Sequence, residues 1–354
     1  MNNQFPILDQ YTYLNTANHG LISQDLVDYR IGLLETMRDT ASLFTNKRNI
    51  FIDSVRNTIA QFIDANPENT AVIPNFSTGF NILINDIDRT KTFLLLEGDY
   101  PSVNWPVETR GFSCQYAAID EHLEDNIATA FKKQVPDFFC FSIVQYISGI
   151  KINLDFIKEL KAQYPQVIFI ADGTQYVGCE VFRFRESGLD ILLASCYKWL
   201  HAGDGNGFIC VKDDVAEHIK PQTIGFRSTR NVMDASPTFI SRFEPGHQDM
   251  LAFGSLQFAM DKATETGLQT IKELTENLAL PARKALTSRG LLEDAVVKRD
   301  VHSSIFNIKG DKKLYERLLE NNIVTSLRGD GIRVSFSHLN TAADLDKLLH
   351  VLDL

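Results

Sequence analysis

Two side chains near the middle of the sequence, a carboxylate and an amine, each follow an apolar run. Asp172 comes directly after the run 167–171, and Lys198 comes shortly after the run 191–194. Both runs are short and apolar, so we expect each to be a buried strand. In an open α/β sheet, residues just past the carboxyl ends of the strands line the ligand crevice. The acid and the amine are therefore predicted to face one pocket.

This pair of residues is what pyridoxal phosphate chemistry requires. A lysine amine forms a Schiff base with the aldehyde, and an aspartate keeps the pyridinium nitrogen protonated, so that the ring withdraws electrons. We therefore predict pyridoxal 5'-phosphate as the cofactor and Lys198 and Asp172 as catalytic residues. Two plainer interpretations exist, since an aspartate often ends a strand and most lysines lie on the surface. The aromatic neighbours Tyr197 and Trp199 and the glycine-rich run 203–207 favour a pocket instead.

The central segments resemble the class V aminotransferase family of fold type I pyridoxal phosphate enzymes, which includes cysteine desulfurases, kynureninases and isopenicillin N epimerase-like proteins. The segments are Val-Gln-Tyr at 144–146, Asp-Gly-Thr-Gln at 172–175 and Ser-Cys-Tyr-Lys-Trp-Leu at 195–200. They are most similar to kynureninase, and the resemblance runs from residue 13 to 340. It implies an α/β fold, in which a large domain has a mostly parallel seven-stranded sheet flanked by helices and a small C-terminal domain is α+β.

The resemblance also implies a division of the chain. Residues 1–22 would be an N-terminal segment packing with the small domain, residues 23–255 the large cofactor-binding domain, and residues 256–354 the small domain. Ser23 is predicted to cap a first helix. Apolar periodicity predicts helices over 49–63, 154–164, 251–266, 278–289, 314–320 and 341–352, and strands over 71–74, 93–96, 138–144, 208–212, 302–308 and 332–336.

Further residues gain cofactor-binding roles from the resemblance. Ser77 and Thr78 begin a helix, where backbone N–H groups favour phosphate, although the two could simply cap that helix. Tyr100 would stack on the cofactor ring, or would only be a packing residue. The other side chains carried over are Tyr146 over the ring, Gln175 at the 3′-oxygen, Ser195 and Tyr197 at the phosphate, and His247.

His247 stands where the family's Arg-Phe-Glu-x-Gly-Thr segment has a threonine, which reaches the phosphate of the neighbouring subunit in dimers. A histidine could donate to that phosphate or face the substrate. The resemblance thus implies a homodimer with active sites at the subunit interface.

The substrate is predicted to be a small α-amino acid. Its carboxylate suits a planar arginine, and the resemblance assigns that role to Arg333, although an arginine on a strand could instead make a structural ion pair. Asn18 and His19, in an N-terminal loop, are further substrate-binding candidates. Arg328 and Arg227 are weaker candidates for a second acidic group.

The reaction itself is less determined than the cofactor. The leading hypothesis is an aminotransferase-like enzyme, and the alternatives are a kynureninase-like hydrolase or another C–C or C–S lyase. The segment 323–333 contains no cysteine, which argues against the persulfide route of cysteine desulfurases. An alternative that is not an enzyme is a binding protein that has kept the fold but lost catalysis.

The composition of the chain argues against several kinds of binding partner. The chain has 354 residues, 35 basic and 45 acidic, with a net charge of −10, and it shows no basic run of the kind that binds nucleic acid. The N-terminus is polar, and no apolar run approaches the ~20 residues needed to span a bilayer. The five cysteines have no zinc-ligand spacing. We therefore predict a cytoplasmic protein without a metal, and without nucleic acid or membrane as partners.

Overall fold

The computed structural model describes residues 4–228 and 237–354. Its centre is a seven-stranded sheet with the strand order β2-β8-β7-β6-β5-β3-β4. The strands of the whole described chain are β1 Thr12–Tyr13, β2 Thr70–Ile73, β3 Thr92–Leu96, β4 Ser113–Ala117, β5 Phe138–Ser142, β6 Ile168–Asp172, β7 Ile191–Ser195, β8 Gly207–Val211, β9 Ile305–Lys309, β10 Ile323–Val324, β11 Ser326–Arg328 and β12 Gly331–Ser335.

Helices cover both faces of this sheet and build the C-terminal part. They are α1 Gln24–Thr40, α2 Ser42–Thr45, α3 Arg48–Ile63, α4 Phe76–Ile84, α5 Pro101–Glu108, α6 Leu123–Lys133, α7 Leu154–Gln163, α8 Asp213–Ala216, α9 Phe239–Phe243, α10 Met250–Thr266, α11 Leu268–Ser288, α12 Asp294–Val297, α13 Lys312–Glu320 and α14 Ala342–Leu352.

The predicted sheet is confirmed, including its direction. Strands β3 to β7 pair in parallel, and within the described sheet only β8 runs the other way, antiparallel to both β7 and β2. The strands other than β4 are largely apolar, because both faces of the sheet are buried there. In β5, Phe139 and Phe141 pack into one core cluster while Phe138 and Cys140 pack into the other.

The sequence analysis missed several elements, among them β4, α5 and α6. Strand β4 lies at the edge of the sheet and is partly exposed, so it lacks the apolar run of the inner strands. Helix α11 was expected over 278–289, but it begins at Leu268 and has Pro281 in its interior. Proline ordinarily ends or kinks a helix, yet α11 continues through Pro281 to Ser288.

A smaller antiparallel sheet, in the order β11-β12-β9, forms the C-terminal part together with α13 and α14. The N-terminal segment crosses to it, because Thr12 and Tyr13 pair in parallel with Ile323 and Val324. This pairing brings the loop that follows β1 beside the β11–β12 hairpin. The division into residues 1–22, 23–255 and 256–354 stays a prediction.

Candidate active site

The site is built at the carboxyl edge of the large sheet, where β6 ends in Asp172 and the neighbouring β7 ends in Ser195. Both residues are buried. The turn after β6 connects them, since the Thr174 N–H donates to Asp172 Oδ1 at 2.8 Å and the Ser195 N–H donates to the Thr174 hydroxyl at 3.0 Å. Burial raises the pKa of Asp172, and the hydrogen bonds from Thr174 and the charge of Lys198 oppose that shift.

Lys198 lies in the turn that follows β7, and its side chain is buried although it carries an amine. The amine makes no hydrogen bond or ion pair to any residue of the described chain. Its Nζ atom lies 5.5 Å from the ring centre of Tyr197 and 6.0 Å from that of Tyr100. Burial lowers the pKa of Lys198, against the opposing charge of Asp172. A buried amine without a partner is free for covalent chemistry.

Tyr100 and Tyr146 form an aromatic wall beside this amine. Their ring centres are 5.1 Å apart and their planes are inclined at 69°. The two loops that carry them are tied through Asp99, whose carboxylate accepts the N–H of Tyr100 at 2.6 Å and the N–H of Ser142 at 2.7 Å. The sequence analysis missed Asp99, because an acid in a Gly-Asp-Tyr turn gives no signal of a buried side chain.

The start of α4 forms the predicted phosphate end. The Phe76 N–H donates to the Ser195 hydroxyl at 2.8 Å, and Asn75 caps the helix by accepting the Thr78 N–H at 2.9 Å. The interpretation that Ser77 and Thr78 merely cap this helix is therefore wrong. The Ser77 hydroxyl instead donates to the Ser102 hydroxyl at 2.8 Å. An open cavity of about 530 Å³ adjoins this end and is lined by Ser77, Thr78, Asn81, Ile82, Asn85, Arg110 and Thr223.

Tyr197, the second residue expected at the phosphate, is half-buried in the pocket. Burial raises its pKa to about 12, with smaller contributions from Tyr100 and Asp172. The phenol therefore keeps its proton at neutral pH and can act as a hydrogen-bond donor.

Gln175 is held by two hydrogen bonds. Its Nε2 donates to the carbonyl of Ala17 at 2.8 Å, and its Oε1 accepts the indole N–H of Trp199 at 2.8 Å. An indole can only donate and a carbonyl can only accept, so the two partners fix which way the amide points. The remaining N–H of Gln175 is the group left for a ligand. Sequence reasoning did not detect that Trp199 orients Gln175.

Arg333, on β12, is buried, and its Nη1 donates to the Tyr146 carbonyl at 2.7 Å. Its Nε is buried without a hydrogen-bond partner. No carboxylate of residues 4–228 or 237–354 pairs with it, so the described structure gives no support to a structural ion pair. Burial, together with the smaller effect of the charge of Arg328, lowers the pKa of Arg333 to about 10. The guanidinium remains charged at neutral pH.

The N-terminal loop brings Asn18 and His19 to the same region. The Asn18 Oδ1 accepts from Nη2 of Arg328 at 3.1 Å. The His19 ring lies 5.5 Å from the Tyr197 ring, and its Nε2 is 3.2 Å from a carboxylate oxygen of Asp204.

His247 is not gathered with these residues. Its side chain is exposed, and its ring is stacked at 6.5 Å on Phe226, which is 87% exposed. It makes no described contact with Lys198 or Ser77. The side chain of Arg227 lies outside what the structure describes.

The arrangement fits pyridoxal phosphate. It offers an unbonded buried amine, a buried carboxylate at the neighbouring strand end, an aromatic wall and hydroxyl groups at a helix start. A buried arginine with an unpartnered nitrogen adds a place for a substrate carboxylate. These are the groups that this cofactor and an amino acid need.

The family Aminotransferase class-V matches residues 29–348. The chain belongs to this family. It is therefore a pyridoxal phosphate-dependent enzyme, and the predictions of family, fold, cofactor and enzymatic character are confirmed. The particular likeness of the central motifs to kynureninase stays a prediction.

Similar proteins cover almost the whole length of the chain. The uncharacterized aminotransferase YcbU of Bacillus subtilis is 20% identical, over 99% of this chain and 95% of the relative. A probable cysteine desulfurase of Ureaplasma parvum is 24% identical, over 92% of this chain and 87% of the relative.

Among solved structures, the cystine C-S lyase C-DES with its product cysteine persulfide has a TM-score of 0.89 at 17% identity, covering 99% of this chain and all of that one. The apo cysteine desulfurase of Thermococcus onnurineus has a TM-score of 0.87 at 16% identity, covering 99% of this chain and 96% of that one. At such identities the likeness concerns the fold. In the described part of this chain, none of the helices has both the length and the apolar character needed to cross a membrane.

Proposed function

We propose that this chain is an aminotransferase-type enzyme acting on a small α-amino acid, with Lys198 as the residue that holds pyridoxal phosphate and moves the substrate proton. The single observation that carries the proposal is the Lys198 amine, which is buried beside Asp172 and two aromatic rings without a hydrogen-bond partner in the described chain. Burial of the amine favours its neutral form, which is the form that attacks a carbonyl and accepts a proton.

The other residues divide between cofactor and substrate. Asp172 would hold the proton on the ring nitrogen, and Gln175 would donate to the phenolic oxygen. Tyr100 and Tyr146 would flank the ring, while Ser77, Thr78, Ser195 and Tyr197 would take the phosphate. When bound, pyridoxal phosphate supplies the electron sink for a bond broken at the substrate Cα. Each of these roles suits the burial and bonding of the residue concerned.

Arg333 would bind the substrate α-carboxylate, because it is a buried guanidinium with an unpartnered Nε. Asn18 and His19 close the same region from the N-terminal loop and are proposed as substrate contacts. A carboxylate that binds Arg333 in the buried site makes charge-assisted hydrogen bonds, which are stronger than neutral ones.

The persulfide route of desulfurases is not supported by the cysteines. All five are described, and burial raises the pKa of each thiol among Cys114, Cys140, Cys179, Cys196 and Cys210. A nucleophilic cysteine needs a lowered pKa and access to the substrate. The second candidate function is elimination from a sulfur-containing amino acid. This reaction needs no nucleophilic cysteine of the enzyme, because Lys198 alone could act as its base.

We also propose that the enzyme is a homodimer and that His247 serves the neighbouring subunit. His247 and Phe226 are exposed next to each other, and Thr223, a few residues before Phe226, lines the open cavity at the phosphate end. A second copy seated there would cover an exposed aromatic ring and bring a histidine toward a phosphate site. Cytoplasmic location stays a prediction.

The test is the near-ultraviolet and visible absorption of the purified protein after incubation with pyridoxal phosphate. We expect an absorption band that K198A lacks. Borohydride reduction should attach the cofactor covalently to the peptide that contains Lys198. K212A is the matched control, because Lys212 is also partly buried but lies outside the pocket. A band of equal strength in K198A would refute the assignment of Lys198.

The reaction type is tested with a panel of amino acids. Formation of one 2-oxo acid per subunit, with the amino group kept by the protein, supports transamination. Release of a sulfur fragment together with ammonia and a 2-oxo acid would instead establish elimination. Release of an aromatic fragment together with alanine would establish the kynureninase-like hydrolase.

A further inference from the structure

The β11–β12 hairpin places two arginines on one face. Ser326 lies opposite Arg333, and Arg328 lies opposite Gly331. Directly opposed residues on antiparallel strands point to the same face, as do residues two apart along a strand. Arg328 and Arg333 are therefore diagonal neighbours on one face, with Gly331 leaving no side chain between them.

The exposed member of this pair, Arg328, is held in place from two sides. Its Nη2 donates to Asn18 Oδ1 at 3.1 Å, and its carbonyl accepts from Nδ2 of Asn307 on β9 at 2.7 Å. The hairpin is also tied to the N-terminal loop, since the Ser326 hydroxyl donates to Asn15 Oδ1. These contacts orient the guanidinium before any ligand arrives.

The two charges act on the amine at the centre of the site. Burial is the main cause of the lowered pKa of Lys198, and the charges of Arg333 and Arg328 both lower it further. Arg328 also acts on Tyr146, whose pKa burial raises and the arginine lowers. The guanidinium of Arg328, which shares a face with Arg333 and bonds Asn18, therefore lies within electrostatic range of the pocket that holds Lys198.

Neither arginine has an acidic partner within residues 4–228 and 237–354. Two like charges side by side repel each other, and an anion bound to one of them leaves the other uncompensated. Arg333 is buried and suits the α-carboxylate that every amino acid carries. Arg328 is exposed and lies at the outer end of the same face of the hairpin.

We propose that Arg328 binds a second anionic group, carried at the end of the substrate side chain. The substrate class is then acidic α-amino acids, with a carboxylate on the side chain. This inference rests on the proposed function, because Arg333 must take the α-carboxylate for Arg328 to be left for the second anion.

The experiment is a binding titration of the loaded enzyme, followed by the change in cofactor absorption. Matched pairs are used, aspartate against asparagine and glutamate against glutamine, with alanine as the reference. We expect the wild type to bind the acid of one pair about 10- to 100-fold more tightly than its amide, as one charge-assisted contact allows. R328Q should reduce that ratio to about one, with a much larger loss of affinity for the acid than for alanine.

Two further variants give the controls. Leu327 is 44% exposed and points to the opposite face of the hairpin, so L327Q should keep the wild-type ratio. R333Q should weaken binding of all five amino acids alike, because all carry the α-carboxylate.

A wild-type ratio near one overturns the inference. An equal loss of alanine and aspartate affinity in R328Q also overturns it, because both arginines would then share the α-carboxylate. In either case the absorption band that depends on Lys198 leaves the proposed function standing. If the wild type shows no such band, the proposed function fails and this inference with it.

Discussion

Lys198 is the residue whose protonation should control cofactor loading. Burial and the charges of Arg333 and Arg328 lower its pKa, while Asp172 raises it. The neutral amine reacts with the aldehyde, so loading should speed up as the pH rises through a midpoint below that of an ordinary lysine. Removing a neighbouring positive charge favours the ammonium form. R333Q should therefore shift the loading profile to higher pH.

To test this, the apoprotein is mixed with pyridoxal phosphate across a pH series. The rate at which the absorption band of the bound cofactor appears is then measured. R333K is the control, because it keeps the charge and should keep the wild-type midpoint. An unchanged midpoint in R333Q, or a shift to lower pH, would show that the charge of Arg333 does not lower the pKa of Lys198.

Trp199 should stabilise the fold through Gln175. In W199F the buried Gln175 Oε1 loses its donor, which costs about 1–3 kcal/mol of unfolding free energy. The amide would also be free to turn, so the absorption maximum of the loaded enzyme should change. Denaturant unfolding of the apoprotein measures the first effect. The matched control is W105F, since Trp105 is 62% exposed and its replacement should stay within about 0.5 kcal/mol of the wild type. Equal unfolding free energies for W199F and W105F would contradict the role of Trp199.

At the residue scale, sequence reasoning located the groups with distinctive chemistry. It placed Asp172 and Lys198 in one pocket because each follows an apolar strand of a predicted parallel sheet. It did not find Asp99 or the function of Trp199. Their roles depend on hydrogen bonds between segments distant in the sequence, and local patterns carry no information on such bonds.

At the element scale, the loop after β1 packs directly on the turn that carries Lys198. The Gly20 N–H donates to the Tyr197 carbonyl at 3.0 Å. A Cβ at position 20 would lie 2.0 Å from the Lys198 carbonyl oxygen and 2.7 Å from that of Tyr197. Because both obstacles are backbone atoms, G20A must displace one of the two segments. We expect a loss of about 1–3 kcal/mol of unfolding free energy and weaker binding of pyridoxal phosphate.

Gly32 in α1 provides the control for this substitution, since a Cβ there would meet nothing within 4 Å. G32A should stabilise the protein by about 0.5–1 kcal/mol, because alanine favours a helix over glycine. Denaturant unfolding and cofactor titration of both variants measure the contrast. A G20A protein with the stability and cofactor affinity of the wild type would show that the two segments can separate freely.

The burial of each strand explains whether the sequence predicted it. The inner strands of the sheet are buried on both faces, so their apolar runs identified them. Strand β4 pairs only with β3 and is partly exposed, and it has no such run. Gly331 gave no sequence signal either, yet a Cβ there would lie 2.3 Å from Oδ1 of Asn307. The exposure of β4 and the close approach of Asn307 to Gly331 both depend on how the strands pair. Local sequence patterns do not specify that pairing.

At the scale of the whole molecule, the exposed aromatic surface near the cavity points to a second copy of the chain. Phe226 is 87% exposed and Ile224 is 58% exposed, and exposed apolar patches often mark interfaces. Both lie close in sequence to Thr223, which lines the cavity at the phosphate end. If a partner covers this surface, the subunit contact and the binding of the cofactor phosphate should depend on each other.

F226R tests this dependence, because an arginine would introduce an uncompensated charge into the interface. We expect the wild type to sediment as twice the 40.0 kDa chain, and F226R to dissociate at concentrations where the wild type stays paired. The same variant should bind pyridoxal phosphate more weakly than the wild type does. This difference in affinity should decrease as the concentration of F226R is raised.

L280R is the control, since Leu280 is 65% exposed on α11 and its replacement should change neither mass nor cofactor affinity. An F226R dimer as tight as the wild type would place the interface elsewhere, and a monomeric wild type that binds the cofactor fully would show that one chain completes the site.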